Sequence, residues 1–288
     1  MRVFEKILCP VDFSETSVRA LQWAETLAHR FQSTIVAMHV MEYPGATDSF
    51  AFDFEAYQSR TITEMHDFLT PLKVQHESVI TAGTAPHEIE NVAEKQGVSL
   101  IVMGTRGLKG AAHRILGSTT EHVIHHAKVP VFTVNAHCPP PTVGVEKRRV
   151  LLPTSTLERP PHGYILLRQI VEELGDNVSL MHVVDFKDPM FGVNYSVHPF
   201  NVTAYEATEK EKQLLQAGML MLPDETRLTA VVRFGDAAEE ILRETSIAEY
   251  DLVLMGVKKE GLLGKLFDST AYRVICKSHI PVITLKTE

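Results

Sequence analysis

Cysteine is scarce in this 288-residue chain, and long apolar runs are missing from it. The three cysteines are odd in number and widely spaced, which predicts neither a disulfide framework nor a zinc-binding pattern. No run of about 18 apolar residues occurs, and the opening segment is interrupted by Pro10 and Asp12, unlike a signal peptide. We therefore expect a cytoplasmic protein with no membrane partner.

Basic side chains are outnumbered throughout the chain. It holds 28 Lys and Arg against 36 Asp and Glu, for a net charge of −8. Residues 1–142 carry 11 basic against 15 acidic side chains and residues 143–288 carry 17 against 21, so each half has a net charge of −4. Nucleic-acid binding usually requires a basic surface, so we expect no nucleic-acid partner.

The chain repeats one sequence pattern twice. KILCPVD at 6–12 matches RVLLPTS at 149–155, and SLIVMGTRG at 99–107 matches DLVLMGVKK at 251–259. Matching positions keep their order, with offsets of 143 (Pro10 to Pro153, His39 to His182), 152 (Gly83 to Gly235, Gly104 to Gly256) and 151 (Pro130 to Pro281). Preserved order and spacing indicate a duplication. We predict a first domain at 1–136, a proline-containing linker at 137–148 and a second domain at 149–288.

Each copy alternates short apolar runs with helical patterns. In the first copy, one apolar helical face follows strand KILCPV, with Ser14 as the expected N-cap, and Thr84 is the expected N-cap of a later helix. Asp236 and Glu239 predict a capping box in the second copy. Alternation of this kind predicts the α/β class, here as two tandem doubly wound domains, each with a five-stranded parallel sheet.

The stretch MGTRGLKGAAHRILGSTTEHV, residues 103–123, follows an apolar strand and leads into a helix. Its glycines allow close approach to backbone N–H groups, and the start of the helix favours an anion. Arg106, Lys109 and Arg114 add positive charge. Because ligands bind at the carboxyl ends of strands in such sheets, the stretch predicts a phosphate site beside Asp12. It contains neither a Walker A motif nor a G-x-G-x-x-G motif, so an ordinary connecting loop is the alternative.

The spacing Gly104-x2-Gly107-x9-Gly117-Ser118 resembles the ATP-binding signature of the universal stress protein family, G-x2-G-x9-G-[ST], without a mismatch. The segments ILCPVDFSE and AMHV also resemble that family, as does a proline-valine step near the end of each copy. The resemblance covers both halves, so the chain is similar to a tandem universal stress protein. It implies the nucleotide-binding α-hydrolase-like fold, and pairing of the two domains through PVFTVN and PVITLK, with a homodimer as a further option.

The resemblance also implies a ligand, ATP, usually with Mg²⁺. The matching carboxylate and backbone would hold the adenosine, and the loop and turn would hold the ribose and phosphates. The cofactor-binding residues so implied are Pro10, Val11, Asp12, Val40, Met103, Gly104, Arg106, Gly107, Gly117, Ser118, Thr119 and Thr120. The function so implied is that of a nucleotide-dependent stress-response or regulatory protein.

The second copy departs from the signature. Lys259 stands at the position of Gly107, Asp268 at that of Gly117, and Ser155 at that of Asp12. A carboxylate at a helix start can cap the N–H groups itself and repel a phosphate. We therefore predict one nucleotide per chain, bound in the first half. A different ligand in the second half, under its longer insert at 185–206, is the alternative.

Catalysis is less well supported than binding. Phosphoryl transfer needs a positioned base or water-orienting group, and no carboxylate falls within 103–120, with Glu121 the nearest. We name no catalytic residue and leave slow ATP hydrolysis or phosphorylation of a hydroxyl at 118–120 as the alternative function. His122 and His126 have a spacing that can hold a metal, but no carboxylate completes it in sequence, so we predict no metal site. Cys9 is expected in the core, and His39 and His182 in a structural role.

Overall fold

The computed structural model describes residues 3–42, 53–106, 116–142, 148–155, 164–184, 199–257 and 269–286. The chain divides into two compact units. The first comprises Met1–Ala136 with Pro140–Val143, and the second comprises His137–Pro139 with Gly144–Glu288. Among the described residues, no helix has both the length and the apolar character needed to cross a membrane.

The first unit alternates five strands with four helices along the chain. In order, they are β1 Lys6–Pro10, α1 Glu15–Phe31, β2 Thr34–Met41, α2 Phe54–Leu69, β3 His76–Ala82, α3 Ala85–Lys95, β4 Leu100–Gly104, α4 Ser118–His126 and β5 Val131–Val134. Helix α2 ends at Leu69, two residues before Pro71, because a proline cannot continue a helix.

The strands of the first unit form a parallel sheet in the order β3-β2-β1-β4-β5. Strand order reverses between β1 and β4, because the chain leaves β1 for β2 on one side and later returns to β4 on the other. Residues 7–9 of β1 and 100–103 of β4 are buried, as expected for central strands covered on both faces. This reversal is a topological switch point, where open α/β sheets bind ligands.

The second unit repeats the arrangement. Its elements are β6 Arg148–Pro153, α5 Tyr164–Leu174, β7 Gly175–Val184, α6 Pro199–Met221, β8 Arg227–Phe234, α7 Ala237–Ile247, β9 Leu252–Val257, α8 Thr270–Lys277 and β10 Val282–Lys286. The strands are parallel, in the order β10-β9-β6-β7-β8. The predicted α/β class with parallel five-stranded sheets is confirmed in both units.

Equivalent residues occupy equivalent places in the two sheets. The ring of His39 contacts the carbonyl of Val11 at 2.8 Å, and the ring of His182 contacts that of Thr154 at 3.0 Å. Each histidine thus links the end of one strand to the loop after its neighbour, the structural role expected from the sequence. Burial lowers the pKa of His182, so this ring is neutral at neutral pH.

Candidate functional site

Two loops of the first unit meet at the switch point through a chain of hydroxyl groups. After β1, Asp12 Oδ1 accepts hydrogen bonds from the backbone N–H of Ser14 at 3.1 Å and from its hydroxyl at 2.6 Å. The Ser14 hydroxyl lies 3.0 Å from that of Thr16, which in turn donates to the backbone carbonyl of Arg106 after β4. The carboxylate of Asp12 and the loop carrying Arg106 therefore belong to one connected site.

The start of α1 is built by the same residues. Ser14 is the N-cap, as predicted, and its hydroxyl accepts from the N–H of Ser17 at 3.2 Å. Between Asp12 and Ser14, Phe13 has a left-handed backbone with φ of 63°. Its ring stacks on His39 with centroids 4.7 Å apart and meets Phe68 edge to face at 5.4 Å. These aromatic contacts hold a backbone conformation that is unfavourable for phenylalanine and so fix the turn that carries Asp12.

The turn before α4 docks onto the end of β4. The N–H of Gly117 donates to the carbonyl of Thr105 at 2.8 Å, and the hydroxyl of Thr120 donates to the carbonyl of Gly104 at 2.9 Å. Thr120 is buried, whereas Ser118 is exposed and Thr119 is half-buried. The hydroxyl of Thr120 thus positions the turn, and those of Ser118 and Thr119 lie nearer to solvent.

The N-terminus of α4 has no cap from a side chain of its N-cap residue, Gly117. Gly117 has an ordinary extended backbone, with φ of −65° and ψ of 141°. A Cβ built there would come no closer than 3.4 Å to any atom beyond its chain neighbours. Neither backbone strain nor packing within the unit requires glycine at this position. Its absent side chain leaves the positive end of the helix open to an anion.

Gly104 is a glycine for another reason. A Cβ at this position would lie 3.0 Å from Cβ of Thr16 and 3.1 Å from both the backbone carbon and the backbone oxygen of Thr16. The first turn of α1 therefore packs directly on the backbone at the end of β4. The sequence pattern predicts that the glycines of the motif give a ligand access to the backbone. At Gly104, the space that a Cβ would need is instead occupied by Thr16.

The remaining sequence-predicted residues line the same edge of the sheet, mostly with their backbones. Val11 and Met103 are buried, with 5% and 4% of their surface exposed. Pro10 is half-buried at the end of β1, and Val40 is half-buried near the end of β2. The N–H of Val11 donates to the carbonyl of Met38 at 2.7 Å, so this group is already used within the sheet.

Residues 107–115 of the glycine-rich stretch lie outside the described residues. They include Gly107, Lys109, Gly110 and Arg114. The predicted role of Gly107 therefore stays a prediction. Sequence reasoning missed Thr16, whose hydroxyl joins the two loops, although its position two residues after the predicted N-cap was a usable signal.

The second unit closes the corresponding helix end with its own side chain. The hydroxyl of Ser269, the N-cap of α8, accepts from the N–H of Tyr272 at 3.1 Å. Our expectation that Asp268 supplies this cap is wrong, because the N-cap is the next residue, Ser269. Asp268 itself lies outside the described residues. Ser155 stands where the first unit has Asp12, and it is exposed. The second unit thus lacks both the carboxylate and the open helix end.

This difference predicts unequal effects of two matched substitutions. Ser269→Ala removes the cap of α8, and we expect it to lower the free energy of unfolding by about 1 kcal/mol. Ser118→Ala, at the matching position of the first unit, removes an exposed hydroxyl and should change it by less than about 0.5 kcal/mol. Urea unfolding of the ligand-free protein measures both. Equal losses would show that α4 depends on a serine cap as α8 does.

Comparison with known proteins agrees with the fold and the duplication. The model of the Universal stress protein family matches the chain twice, at residues 4–135 and 147–286. The chain belongs to the universal stress protein family. The two matches show a tandem member, because they cover both repeats.

Relatives of this universal stress protein correspond to about half of it. Universal stress protein YxiE of Bacillus subtilis is 31% identical over 147 residues, which is 46% of this chain and 99% of the relative. Universal stress protein MJ0531 of Methanocaldococcus jannaschii is 27% identical over 140 residues, 46% of this chain and 82% of that one. A universal stress protein of Archaeoglobus fulgidus, solved by crystallography, has a TM-score of 0.68 at 20% identity and covers 98% of both chains, a likeness of fold.

Cys9 is excluded as a nucleophile in this universal stress protein. It lies within β1 with no exposed surface, and burial raises the pKa of its thiol to about 12. The thiolate that would be needed for nucleophilic attack is therefore absent at neutral pH. The core position expected from the sequence is confirmed.

The histidines of α4 are arranged differently from the sequence expectation. His126 stacks on His122 with ring centroids 4.0 Å apart, and its Nδ1 contacts the carbonyl of His122 at 2.8 Å. His122 turns instead towards α3, where Nε2 lies 2.9 Å from Oε1 of Glu90. A carboxylate thus does approach His122, and it comes from α3, 32 residues earlier in the chain. Burial and then His126 lower the pKa of His122 against the opposing effect of Glu90, so the imidazole is neutral at neutral pH.

Proposed function

We propose that the first repeat binds ATP at its switch point and that this binding makes the protein a nucleotide-dependent regulator of the stress response, acting in the cytoplasm. One observation carries the proposal: the N-terminus of α4 is left without a side-chain cap at Gly117, beside a loop connected to Asp12. An uncapped helix start offers N–H groups and a positive dipole end to a phosphate.

The residues around this helix end fit a nucleotide. Glycine at 117 leaves space that a Cβ would occupy, and Arg106 adds a positive charge at the end of β4. Asp12 supplies a carboxylate, the group suited to ribose hydroxyls. The residues in the proposed site are the twelve that the signature implies, with Thr120 acting through the carbonyl of Gly104.

The same features are missing from the second repeat. Ser269 caps α8, and Ser155 replaces the carboxylate of Asp12. An N–H group that already donates to a serine hydroxyl is not available to a phosphate without loss of that bond. We therefore propose that ATP binds in the first repeat alone. Pairing of the repeats through β5 and β10, and a homodimer, stay predictions.

The nucleotide content of the native protein tests this function. Denaturation of the purified protein should release an adenine nucleotide, at no more than one per chain. Mass spectrometry identifies it. Calorimetric titration of the stripped protein with Mg-ATP should saturate at about one equivalent. Saturation at two equivalents would contradict the assignment to one repeat. The proposal is overturned if denaturation releases no nucleotide and the titration with Mg-ATP gives no heat of binding.

A weak ATPase or self-phosphorylating activity is the second candidate. It rests on Glu121, a carboxyl group in the first turn of α4 whose pKa is raised by burial. A raised pKa is typical of groups that exchange protons, but structural burial produces it as well. Release of phosphate that falls in a Glu121→Gln variant, with ATP affinity unchanged, would favour an enzyme over a binding protein.

A further inference from the structure

Three metal-ligating side chains converge between α3 and α4, about one helical turn along α4 from the end that the nucleotide would occupy. They are His87, Glu90 and His122, and one ligand atom of each lies within 4.8 Å of those of the other two. His87 and Glu90 are three residues apart, so they share one face of α3, and α3 packs against α4, which carries His122. The cluster thus forms only where the two helices meet.

The two inner atoms of this cluster lack ordinary hydrogen bonds. Oε1 of Glu90 and Nε2 of His122 are shielded from solvent and lie 2.9 Å apart, yet among the described residues neither has an aligned hydrogen-bond partner. A buried polar atom without such a bond is costly, so it calls for an explanation. Ligands of one zinc ion, bound at about 2.0–2.1 Å in a tetrahedral arrangement, are about 3.3 Å apart, close to the separation seen here.

The second repeat has a different set of side chains at the positions equivalent to His87, Glu90 and His122. By the repeat offsets, Glu239 corresponds to His87, Leu242 to Glu90 and Arg273 to His122. The guanidinium of Arg273 bridges to Asp236 at 2.7 Å and to Glu239 at 3.3 Å. A cation on α8 therefore ties it to α7 in the second repeat.

The first repeat has no such fixed cation at the matching position. Where the second repeat has a glutamate, a leucine and an arginine, the first repeat has an imidazole, a carboxylate and an imidazole. The first repeat therefore lacks the bridging guanidinium and has three metal-ligating groups instead. A divalent metal ion bound by these groups would restore a positive charge between α3 and α4. Nitrogen and oxygen ligands in a two-to-one ratio suit zinc and its neighbours better than Mg²⁺ or Ca²⁺.

We propose that His87, Glu90 and His122 form a zinc-binding site that joins α3 to α4 in the first repeat. Glu90 and His122 supply the inner ligand atoms, and His87, which is exposed, closes the site from the solvent side. Three protein ligands leave the fourth tetrahedral position to water. This site is separate from the proposed nucleotide site and does not depend on it.

Zinc binding by the full chain, produced without a polyhistidine tag and stripped with a chelator, tests the proposal. The measurement is made without nucleotide and in millimolar Mg²⁺, so that oxygen-only sites are filled. Equilibrium dialysis followed by metal analysis should give one tightly bound Zn²⁺ per chain. Cobalt substitution should give the visible absorption of a four-coordinate ion, a readout that depends on the ligand geometry.

Ligand variants decide where the metal lies. Loss of a residue that only hydrogen-bonds to a metal ligand weakens metal binding by about 10–100-fold. Each of the ligand substitutions should weaken zinc binding by more than that: His87→Gln, Glu90→Gln and His122→Gln. His66→Gln is the matched control, because His66 also lies beside a carboxylate, at 3.4 Å from Asp67, but is exposed and has no third ligand nearby among the described residues. It should bind zinc as the native chain does.

A double substitution guards against simple misfolding. His87→Glu with His122→Arg builds the ion pair of the second repeat, and it should give a folded protein, by circular dichroism, that binds no tight zinc. The proposal is overturned if the native chain takes up no zinc under these conditions. It is equally overturned if the ligand variants retain as much zinc as the His66 control.

Discussion

Gly117→Asp should lower the affinity for ATP by about 100-fold or more while leaving the fold intact or slightly more stable. Gly117 is the N-cap of α4 in an extended conformation, which is the conformation in which aspartate caps a helix. The new carboxylate would accept from the N–H groups that the phosphates need. It would also place a negative charge within a few ångströms of them, which costs about 4 kcal/mol for one pair at 4 Å near a protein surface.

The opposite signs of the two effects make this substitution informative. A variant that fails to bind ATP because it has unfolded would lose stability, whereas this one should keep its melting temperature or raise it by a few degrees. Gly117→Asn is the control, because asparagine caps as well as aspartate but carries no charge. Calorimetry should place its affinity between those of the native and the aspartate proteins. Native-like ATP binding by the aspartate variant would exclude the end of α4 as the phosphate site.

Gly104→Ala should lower the free energy of unfolding by about 1–3 kcal/mol. The added Cβ would lie 3.0–3.1 Å from Thr16, including two backbone atoms that no side-chain rotation can move. Helix α1 must therefore shift from the end of β4. Such a shift would also disturb the hydroxyl of Thr16, which donates to Arg106, so ATP affinity should fall as well.

Gly117→Ser is the matched substitution for this stability measurement. It adds a side chain to another glycine of the same motif, where a Cβ meets nothing closer than 3.4 Å and serine is a favoured N-cap. Its free energy of unfolding should stay within about 0.5 kcal/mol of the native value. If urea unfolding gives the two variants equal stability, the contact between α1 and β4 does not explain the glycine at 104.

The two repeats show how one fold can be either open or closed at the same helix end. In the first, α4 begins at a glycine without a side-chain cap, and in the second, α8 begins with the Ser269 cap. A similar exchange occurs between the neighbouring helices, where Arg273 in the second repeat corresponds to His122 in the first. In both places the first repeat lacks a group that the second repeat supplies from its own side chains. We infer that the first repeat is the ligand-binding half.

Features that are local in the chain could be predicted from the sequence. The duplication, the alternation of strands and helices, the cap at Ser14 and the placement of Cys9 in a buried strand all follow from residue spacing and apolar pattern. The family follows too, because its signature lies within fifteen residues, from Gly104 to Ser118. The parallel five-stranded sheet of each half follows from the same alternation, whereas the order of the strands within it is given by the structure.

Only the tertiary structure decided which atoms meet across the chain. It shows that Gly104 makes room for Thr16, that Thr16 joins two loops, and that Glu90 and His87 approach His122. No periodic pattern in the sequence predicts these contacts, because each depends on how a helix from one part of the chain packs on a strand or helix from another. The sequence by itself therefore determined the family, the repeat and the location of the glycine signature. Packing between distant segments decided why each glycine is there and brought the three metal-ligating groups together.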